Sequence, residues 1–275
     1  METTHKTGTD LFADVDNLKI AYDDMGTGKI PLIFIHGFPF DKSMWELQMK
    51  ALSKNNRAIA YDIRGYGKSS ANASPASMTL FADDLIKFMD ALEIDKAIVC
   101  GLSMGGYILL NAVHKYPDRF KAIILSDTQC IADSPEAKEG RGKTIATIRE
   151  GKKSEFTEGF IKKVFIAESL ESKKDSVNKI KEIVMATSDA TIIAGLTALA
   201  EREETCSNMN RVEVPALVIC GDGDVVTPLE QSRVLNSRLA NSSLVIIENA
   251  GHLSNMEQPE NFNRKISEFI ELLPA

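Results

Sequence analysis

A serine flanked by glycines, in Gly101-Leu102-Ser103-Met104-Gly105, has the residue types and spacing needed for nucleophilic chemistry. An apolar, β-branched run at 96–100 precedes it, and a run with helical periodicity begins at Gly106. A serine at such a strand-to-helix turn is held with its hydroxyl exposed at the carboxyl edge of a sheet. Glycines are needed on both sides because a Cβ there would strike neighbouring backbone. The stretch therefore predicts Ser103 as a nucleophile.

A serine hydroxyl is a weak nucleophile until a base removes its proton, so a histidine is required nearby. The chain has four histidines: His5, His36, His114 and His252. His252 follows the last predicted strand and is predicted to be the base at the same sheet edge as Ser103. His36 sits in the loop after the first buried strand, where a hydrogen bond to its own backbone is the alternative role. His5 lies in the polar start of the chain, and His114 is expected to face water.

The imidazole base needs an acid that fixes its tautomer and stabilises the imidazolium. Candidates at the ends of predicted strands are Asp62, Asp127, Asp222 and Asp224. Asp224, in a turn between a strand and a helix, is predicted to be the acid. The chain order is then nucleophile, acid and base (Ser103, Asp224, His252), which is the order known for a serine at a strand-to-helix turn. Asp127 stays open as the alternative acid, since it ends the strand before a long insertion. Asp222 and Asp62 are expected to brace their own loops.

The negative oxygen of a tetrahedral intermediate needs two backbone N–H donors placed in advance. One is predicted to be the N–H of Met104, directly after the nucleophile. The other is predicted to come from Phe38, in the loop His36-Gly37-Phe38-Pro39 after the first buried strand. Gly37, Phe38 and Met104 are also predicted to contact the substrate. The alternative for this loop is a tight turn without a catalytic role.

Alternating strands and helices must position these residues. The apolar runs are continuous rather than alternating, which is typical of strands buried on both faces of a parallel sheet. A weaker alternation at 17–24 predicts one antiparallel strand near the start. The fold class is therefore predicted to be α/β, with a mostly parallel central sheet and helices on both faces. The predicted buried strands lie at 31–35, 57–62, 96–100, 121–127, 215–222 and 243–247.

The alternation breaks between residues 131 and 210, where only helical patterns occur. This segment is predicted to be an all-helical cap, or lid, on a core made of residues 1–130 and 211–275. The insertion leaves from the carboxyl end of a strand, the edge at which open α/β sheets bind ligands. It is therefore expected to cover the site.

The composition excludes several classes of function. The 275 residues carry a net charge of −7, which disfavours nucleic-acid binding because that requires a basic face. The sequence has no apolar run of membrane-spanning length and no apolar segment at its start, so neither a membrane partner nor a secretion signal is expected. Cys100, Cys130, Cys206 and Cys220 form no C-x-x-C pair, which predicts four reduced structural thiols, no metal and a cytoplasmic location.

The cap contains a basic stretch from 138 to 163, whereas the rest of the chain is acidic. One interpretation is a solvated helix face. The other is that Arg141, near the start of the cap, pairs with a carboxylate of the substrate.

Taken together, these motifs resemble those of the α/β-hydrolase superfamily over nearly the whole chain outside the cap. The chain looks most similar to small carboxylesterases, 3-oxoadipate enol-lactonases and cofactor-free perhydrolases. Epoxide hydrolases and haloalkane dehalogenases have an aspartate where this chain has Ser103, so their chemistry is not expected. The matching stretches are His36-Gly37-Phe38-Pro39, Asp62 to Ser69, Gly101 to Gly106, Gly221-Asp222-Gly223-Asp224 and Gly251-His252.

The resemblance implies a serine hydrolase that cleaves small carboxylic esters or lactones through an acyl-enzyme, without a cofactor. It implies a small-molecule substrate and a monomer or small homo-oligomer. Two alternatives stay open: a C–C bond hydrolase or lyase acting on diketone-like acids, and a ligand-binding signalling protein with an intact triad.

Overall fold

A single sheet of eight strands forms the centre of the fold, in the order β1-β2-β4-β3-β5-β6-β7-β8. The computed structural model describes residues 7–72 and 74–274. Strands β1 and β2 are antiparallel to their neighbours, and β3 to β8 run parallel. The predicted fold class is thus confirmed. The strands are β1 (Gly8–Val15), β2 (Leu18–Met25), β3 (Leu32–Ile35), β4 (Ala58–Tyr61), β5 (Ala97–Leu102), β6 (Phe120–Ser126), β7 (Ala216–Gly221) and β8 (Ser242–Ile247).

Two hydrophobic cores lie on opposite faces of this sheet. Every residue of β3, β4, β5 and β7 is buried, as expected for parallel strands covered on both sides. Successive side chains of a strand point to opposite faces. Strand β3 therefore gives Ile33 and Ile35 to one core and Leu32 and Phe34 to the other. The continuous apolar runs in the sequence reflect this double burial.

The helices outside the cap connect the strands and cover both faces. Ser77 caps α2 by accepting from the N–H of Leu80, and α3 ends shortly before Pro117. Trp45 is fully buried against Phe34 and Phe262, so it belongs to the core and not to a substrate pocket. The bounds are α1 (Glu46–Leu52), α2 (Met78–Ala91), α3 (Met104–Lys115), α9 (Leu229–Arg238), α10 (Ser254–Glu257) and α11 (Pro259–Glu271).

Five helices lie between β6 and β7, in the segment predicted to be the cap. Helices α5, α7 and α8 carry the apolar patterns on which the prediction of an all-helical segment rests. Helix α4 has no apolar stripe, because Ile148 alone among its residues is buried. The five are α4 (Pro135–Arg149), α5 (Lys153–Val164), α6 (Ala167–Ser172), α7 (Lys174–Ala186) and α8 (Asp189–Glu201).

Two of the four cysteines, Cys130 and Cys206, form a disulfide across 76 residues of chain, with Cα atoms 4.9 Å apart. The prediction of four reduced thiols is therefore wrong for this pair. Cys100 and Cys220 are buried free thiols. A separation of this length has no local signature, since only the fold brings the two ends of the cap together. Disulfides are typical of oxidising compartments, so the bond weighs against the cytoplasmic location, which stays a prediction.

Within the described ranges, no single helix is long and apolar enough to cross a membrane. Helices α7 and α8 reach the length and apolar composition of a membrane span only when they are counted together, and the angle between them is 98°. Both helices bury apolar side chains in the protein, including Ile180 and Ile192.

Candidate active site

Ser103 lies at the turn between β5 and α3, in a backbone conformation that non-glycine residues rarely adopt. Its φ is 54° and its ψ is −113°, and it precedes the first residue of α3 without capping the helix through its side chain. The turn is anchored on both sides: the N–H of Ser103 donates to the Ser126 carbonyl at 2.9 Å, and the Thr128 hydroxyl donates to the Ser103 carbonyl at 2.9 Å. Such strain is retained where the surrounding structure holds it in place, often at functional sites.

The two flanking glycines are required by close backbone approach, as predicted. A Cβ on Gly101 would lie 2.3 Å from the Gly105 carbonyl oxygen. A Cβ on Gly105 would lie 2.3 Å from the carbonyl oxygen of Ile35 in β3. The turn can therefore pack against β3 and α3 only with glycine at both positions.

His252 and Asp224 are brought together although 28 residues separate them in the sequence. Nδ1 of His252 lies 2.8 Å from Oδ2 of Asp224, and both side chains are almost completely buried. Asp224 also accepts from the backbone N–H groups of Val226 and Thr227, at 2.7 and 3.0 Å, and from the Thr227 hydroxyl. A carboxylate so placed accepts the Nδ1 proton, which leaves Nε2 of His252 free to take a proton.

The electrostatics of this pair favour charge separation between its members. Burial alone would lower the pKa of His252, but the neighbouring carboxylates, Asp224 first and then Asp127 and Glu257, together outweigh burial and raise it above its ordinary value. Burial likewise opposes ionisation of Asp224, but the imidazole and the Thr227 hydrogen bonds lower the pKa of that carboxyl. Asp224 is therefore ionised near neutral pH and stabilises an imidazolium on His252.

Asp127, the alternative acid, lies next to this pair but has other hydrogen-bond partners. Its Oδ2 accepts from the hydroxyls of Ser126 and Ser254, at 2.7 and 2.5 Å, and its Oδ1 accepts from the N–H of Gly221 at 2.9 Å. Burial and the Asp224 charge raise the pKa of Asp127 to about 7. The imidazole thus has Asp224, not Asp127, as its hydrogen-bond partner.

The other two aspartates connect loops. Asp62 accepts from the N–H of Lys68 in its own loop at 2.8 Å and from the N–H of Lys42 at 2.7 Å. Asp222 accepts from the N–H of Ala250 at 3.3 Å, so it connects its turn to the loop that carries the histidine.

His36 fixes the loop after β3 through hydrogen bonds to the backbone, which is the alternative to a catalytic role that the sequence left open. Nδ1 of His36 lies 2.9 Å from the Gly37 carbonyl, and the N–H of Ile63 donates to Nε2 at 3.0 Å. Burial lowers the pKa of His36 to about 4, so the ring is neutral and both nitrogens serve the loop. His114 is exposed on α3, and His5 lies outside the described residues. Phe38 is buried in the same loop, where a Cβ on the neighbouring Gly37 would lie 3.0 Å from the Leu102 side chain, and Met104 begins α3 directly after Ser103.

The cap packs directly onto this loop. The rings of Phe160 in α5 and Phe38 are 6.4 Å apart. Gly195 in α8 is so close that a Cβ would lie 2.1 Å from the Tyr66 hydroxyl and 2.8 Å from the Phe38 ring. The Thr187 hydroxyl donates to the Pro39 carbonyl at 3.2 Å. Helices α5 and α8, and Thr187 between α7 and α8, therefore pack directly on Phe38 and its loop.

Arg141, the predicted substrate-binding cation, forms an ion pair with Asp133 in the cap. Arg202 pairs with the same carboxylate at 2.6 Å, and its guanidinium carbon lies 4.4 Å from the centre of the Tyr107 ring. Tyr107 is one turn beyond Ser103 in α3, so this cluster borders the site. The sequence did not point to Asp133, Arg202 or Tyr107. Asp133 and Arg202 are 69 residues apart, so no motif with a short, fixed spacing marks their contact.

Three atoms lie within 4.8 Å of one another: a carboxylate oxygen of Asp127, a carboxylate oxygen of Asp224 and Sγ of Cys220. The two carboxylates already accept from hydroxyl, backbone and imidazole donors. Burial raises the pKa of the Cys220 thiol, which keeps it neutral. This donor set fits a hydrogen-bonded cluster and not a cation site.

Comparisons with known proteins agree with this architecture. The family described as "alpha/beta hydrolase fold" matches residues 30–259. The chain is 28% identical over 251 residues to 3-oxoadipate enol-lactonase 2 of Acinetobacter baylyi, covering 91% of this chain and 92% of that protein.

Solved structures give the same result. A malate-bound thermophilic esterase from Thermogutta terrifontis superposes with a TM-score of 0.91 at 31% identity, covering 96% of this chain and 99% of that one. The enol-lactonase from Burkholderia xenovorans LB400 superposes with a TM-score of 0.89 at 26% identity, covering 95% and 100%. The chain therefore belongs to the α/β-hydrolase family.

Proposed function

We propose that the chain is a serine hydrolase that cleaves small carboxylic esters or lactones through an acyl-enzyme. The observation that carries this proposal is the buried Asp224–His252 pair, 2.8 Å apart, at the same sheet edge as the strained turn of Ser103. Relatives named as an esterase and as enol-lactonases support ester and lactone bonds as the substrate class. We further propose residues 131–210 as a cap that shapes the pocket for the acyl group.

In the proposed reaction, Nε2 of His252 takes the proton of the Ser103 hydroxyl, and the oxygen attacks the carbonyl carbon. The resulting oxyanion accepts hydrogen bonds from the N–H groups of Phe38 and Met104. The imidazolium then protonates the leaving alkoxide, which breaks the ester or lactone bond. The same imidazole activates water to release the acid. Each step uses only groups of this chain, the substrate and water.

A serine-directed probe tests the proposal. A fluorophosphonate should label the purified protein on one peptide, the one containing Ser103, and a panel of short esters and lactones should include substrates. Exposed Ser237 in α9 is an internal control, since it lacks a base and should not react. Labelling elsewhere, or a protein that neither reacts with the probe nor hydrolyses any ester or lactone, would refute the proposal.

The panel also separates the two alternatives. Turnover of diketone-like acids with flat activity on all esters would favour a C–C bond hydrolase or lyase. Negligible turnover with a ligand-dependent thermal shift and a protein partner would favour a signalling role. A monomer or small homo-oligomer without nucleic-acid or membrane partners stays a prediction.

The rate should fall as the pH is lowered, because only the neutral imidazole of His252 can act as base. Asp224 raises the pKa of His252 above the ordinary 6.5. Activity should thus be complete above that raised pKa and be lost as the pH falls through it, with a midpoint above 6.5. Initial rates of p-nitrophenyl acetate hydrolysis between about pH 5 and 8 measure this midpoint. A flat profile, or a midpoint below that of a free histidine, would contradict the assigned base.

We also propose that Arg141 binds a carboxylate of the substrate. In the cluster of Arg141, Arg202 and Asp133, two guanidinium groups share one carboxylate, so one positive charge is uncompensated. Arg202 is buried, with 3% of its side chain exposed, whereas Arg141 is 24% exposed. Arg141 is therefore the cation that an incoming anion can reach. The malate bound to the Thermogutta terrifontis relative and the enol-lactonase names support an acid-bearing substrate.

Arg141→Ala should lower kcat/KM for an acid-bearing lactone by about ten- to a hundredfold, the value of one charge-assisted hydrogen bond. A neutral ester of similar size should be hydrolysed at nearly the original rate. Arg149→Ala is the matched control, since Arg149 is exposed on the same helix. An equal loss on both substrates, or no loss on the lactone, would exclude a carboxylate-binding role for Arg141.

A further inference from the structure

We propose that Asp127 is a positioning residue that aligns Asp224 and His252 and supplies a second negative charge behind them. The inference rests on the proposed function, since it assigns a role relative to the proposed base and acid. It concerns a carboxylate that the reaction steps do not use and that is completely buried.

The first argument is the connectivity of this single side chain. Asp127 directly follows β6, whose last residue, Ser126, accepts from the N–H of Ser103 at 2.9 Å. Its Oδ1 accepts from Gly221, where the loop that carries Asp224 begins. Its Oδ2 accepts at 2.5 Å from the hydroxyl of Ser254, two residues after the base. One carboxylate thus joins the strand beside the nucleophile to the loops of the acid and the base.

The second argument is the backbone of Asp127 itself. Its φ is 45°, in the left-handed region that an aspartate occupies only at an energetic cost. The conformation is held by the N–H of Asp127, which donates to the Ile219 carbonyl at 2.8 Å in the neighbouring strand. The geometry directs the carboxylate toward the two loops, as expected when strain is retained for orientation.

The third argument is electrostatic. Carboxylate oxygens of Asp127 and Asp224 lie within 4.8 Å of each other, and an ionised Asp127 favours the imidazolium form of His252. Because the pKa of Asp127 is about 7, this second negative charge is present from about neutral pH upward. In that range the charge that develops on His252 as Ser103 attacks is stabilised by two carboxylates instead of one.

The other groups around Asp127 carry no charge or act on His252 in a different measure. Cys100 from β5 and Cys220 from β7 are thiols whose pKa values burial raises, so both are neutral near pH 7. Glu257 from α10 accepts from the N–H of Gly251 and also raises the pKa of His252, but by less than Asp127 does. Asp224 completes the set, as the carboxylate that raises the pKa of His252 most. Removal of the Asp127 charge should therefore lower the pH at which His252 is protonated.

The experiment compares Asp127→Asn, Ser254→Ala and Ser126→Ala in the full chain. Asp127→Asn keeps the shape and should lower kcat by about tenfold or more, leave KM nearly unchanged and move the acid limb of kcat/KM to lower pH. Ser254→Ala should lower kcat by about threefold or more, because it removes the hydrogen bond that joins the loop of His252 to Asp127. Ser126→Ala is the control, since it removes a bond to the same oxygen within one strand, and it should stay within about twofold of the wild type.

A second readout does not depend on turnover. The imidazole of His252 can be titrated by NMR, with the signal assigned by its loss in His252→Gln. Its pKa should be lower in Asp127→Asn than in the wild type and unchanged in Ser126→Ala. A wild type without esterase activity but with this difference would refute the proposed function alone. Two outcomes would overturn the role of Asp127. One is that Asp127→Asn changes neither the acid limb of kcat/KM nor the pKa of His252 measured by NMR. The other is that Ser254→Ala has no larger effect than Ser126→Ala.

Discussion

Ser103→Ala is expected to abolish both ester hydrolysis and labelling by a fluorophosphonate. The proposed acyl-enzyme has its covalent bond at this hydroxyl, and no other group can replace it at the φ 54° turn. Removal of a nucleophile in a triad lowers kcat by roughly 10⁶-fold, so hydrolysis should fall to the small residual rate that binding and the oxyanion donors supply. Steady-state kinetics with p-nitrophenyl acetate and intact-mass analysis after labelling measure the two effects.

Alanine at position 103 should also leave the fold intact, because the side chain does not cap α3. An unchanged thermal unfolding temperature therefore distinguishes lost chemistry from lost structure. Ser237→Ala, at an exposed site on α9, serves as the matched control and should retain full activity. Full activity in Ser103→Ala would remove the central residue of the proposed mechanism.

Asp224→Asn is expected to lower kcat by about 10³- to 10⁴-fold while KM changes little. Oδ2 of Asp224 accepts the Nδ1 proton of His252 at 2.8 Å. An amide at this position loses the charge that stabilises the imidazolium. If it donates its own proton to Nδ1, it also fixes the wrong tautomer, with the proton on Nε2. The base is then unable to accept the proton of Ser103.

Asp222→Asn is the control for this substitution, because Asp222 lies in the same turn but is exposed and bonds the backbone of Ala250. It should change kcat by no more than about threefold, as is usual for surface positions. Comparison with Asp127→Asn decides the identity of the acid. A larger loss in Asp127→Asn than in Asp224→Asn would favour Asp127, the alternative that the strand pattern alone left open.

The parts of the fold that could be predicted are those with a local signature. Ser103 has glycines at fixed offsets, and the buried strands have continuous apolar runs of four to eight residues. Asp224 and His252 follow such strands, so chain order was sufficient to suggest that they meet at one sheet edge. The 2.8 Å contact between them agrees with that inference.

The parts that escaped prediction depend on contacts between distant segments. Strand β1 begins in a polar stretch and buries only Ala13 and Val15 of its eight residues, so its pairing with β2 has little apolar signal in the sequence. Helix α4 buries one residue and has no apolar stripe. The Asp133–Arg202 pair and the partners of Asp127 connect residues whose types are common in any sequence, and their meaning appears only when the fold brings them together.

The disulfide between Cys130 and Cys206 makes the segment between them a covalently closed ring rooted at the edge of the sheet. The two ends of this segment stay joined even if its helices unfold. Local unfolding of the segment therefore does not separate its ends from each other. In the chain-entropy account, closing a ring of this length disfavours the unfolded chain by about 4.5 kcal/mol. The helices between the two cysteines can thus vary in sequence and local stability while both ends of their segment stay attached beside β6.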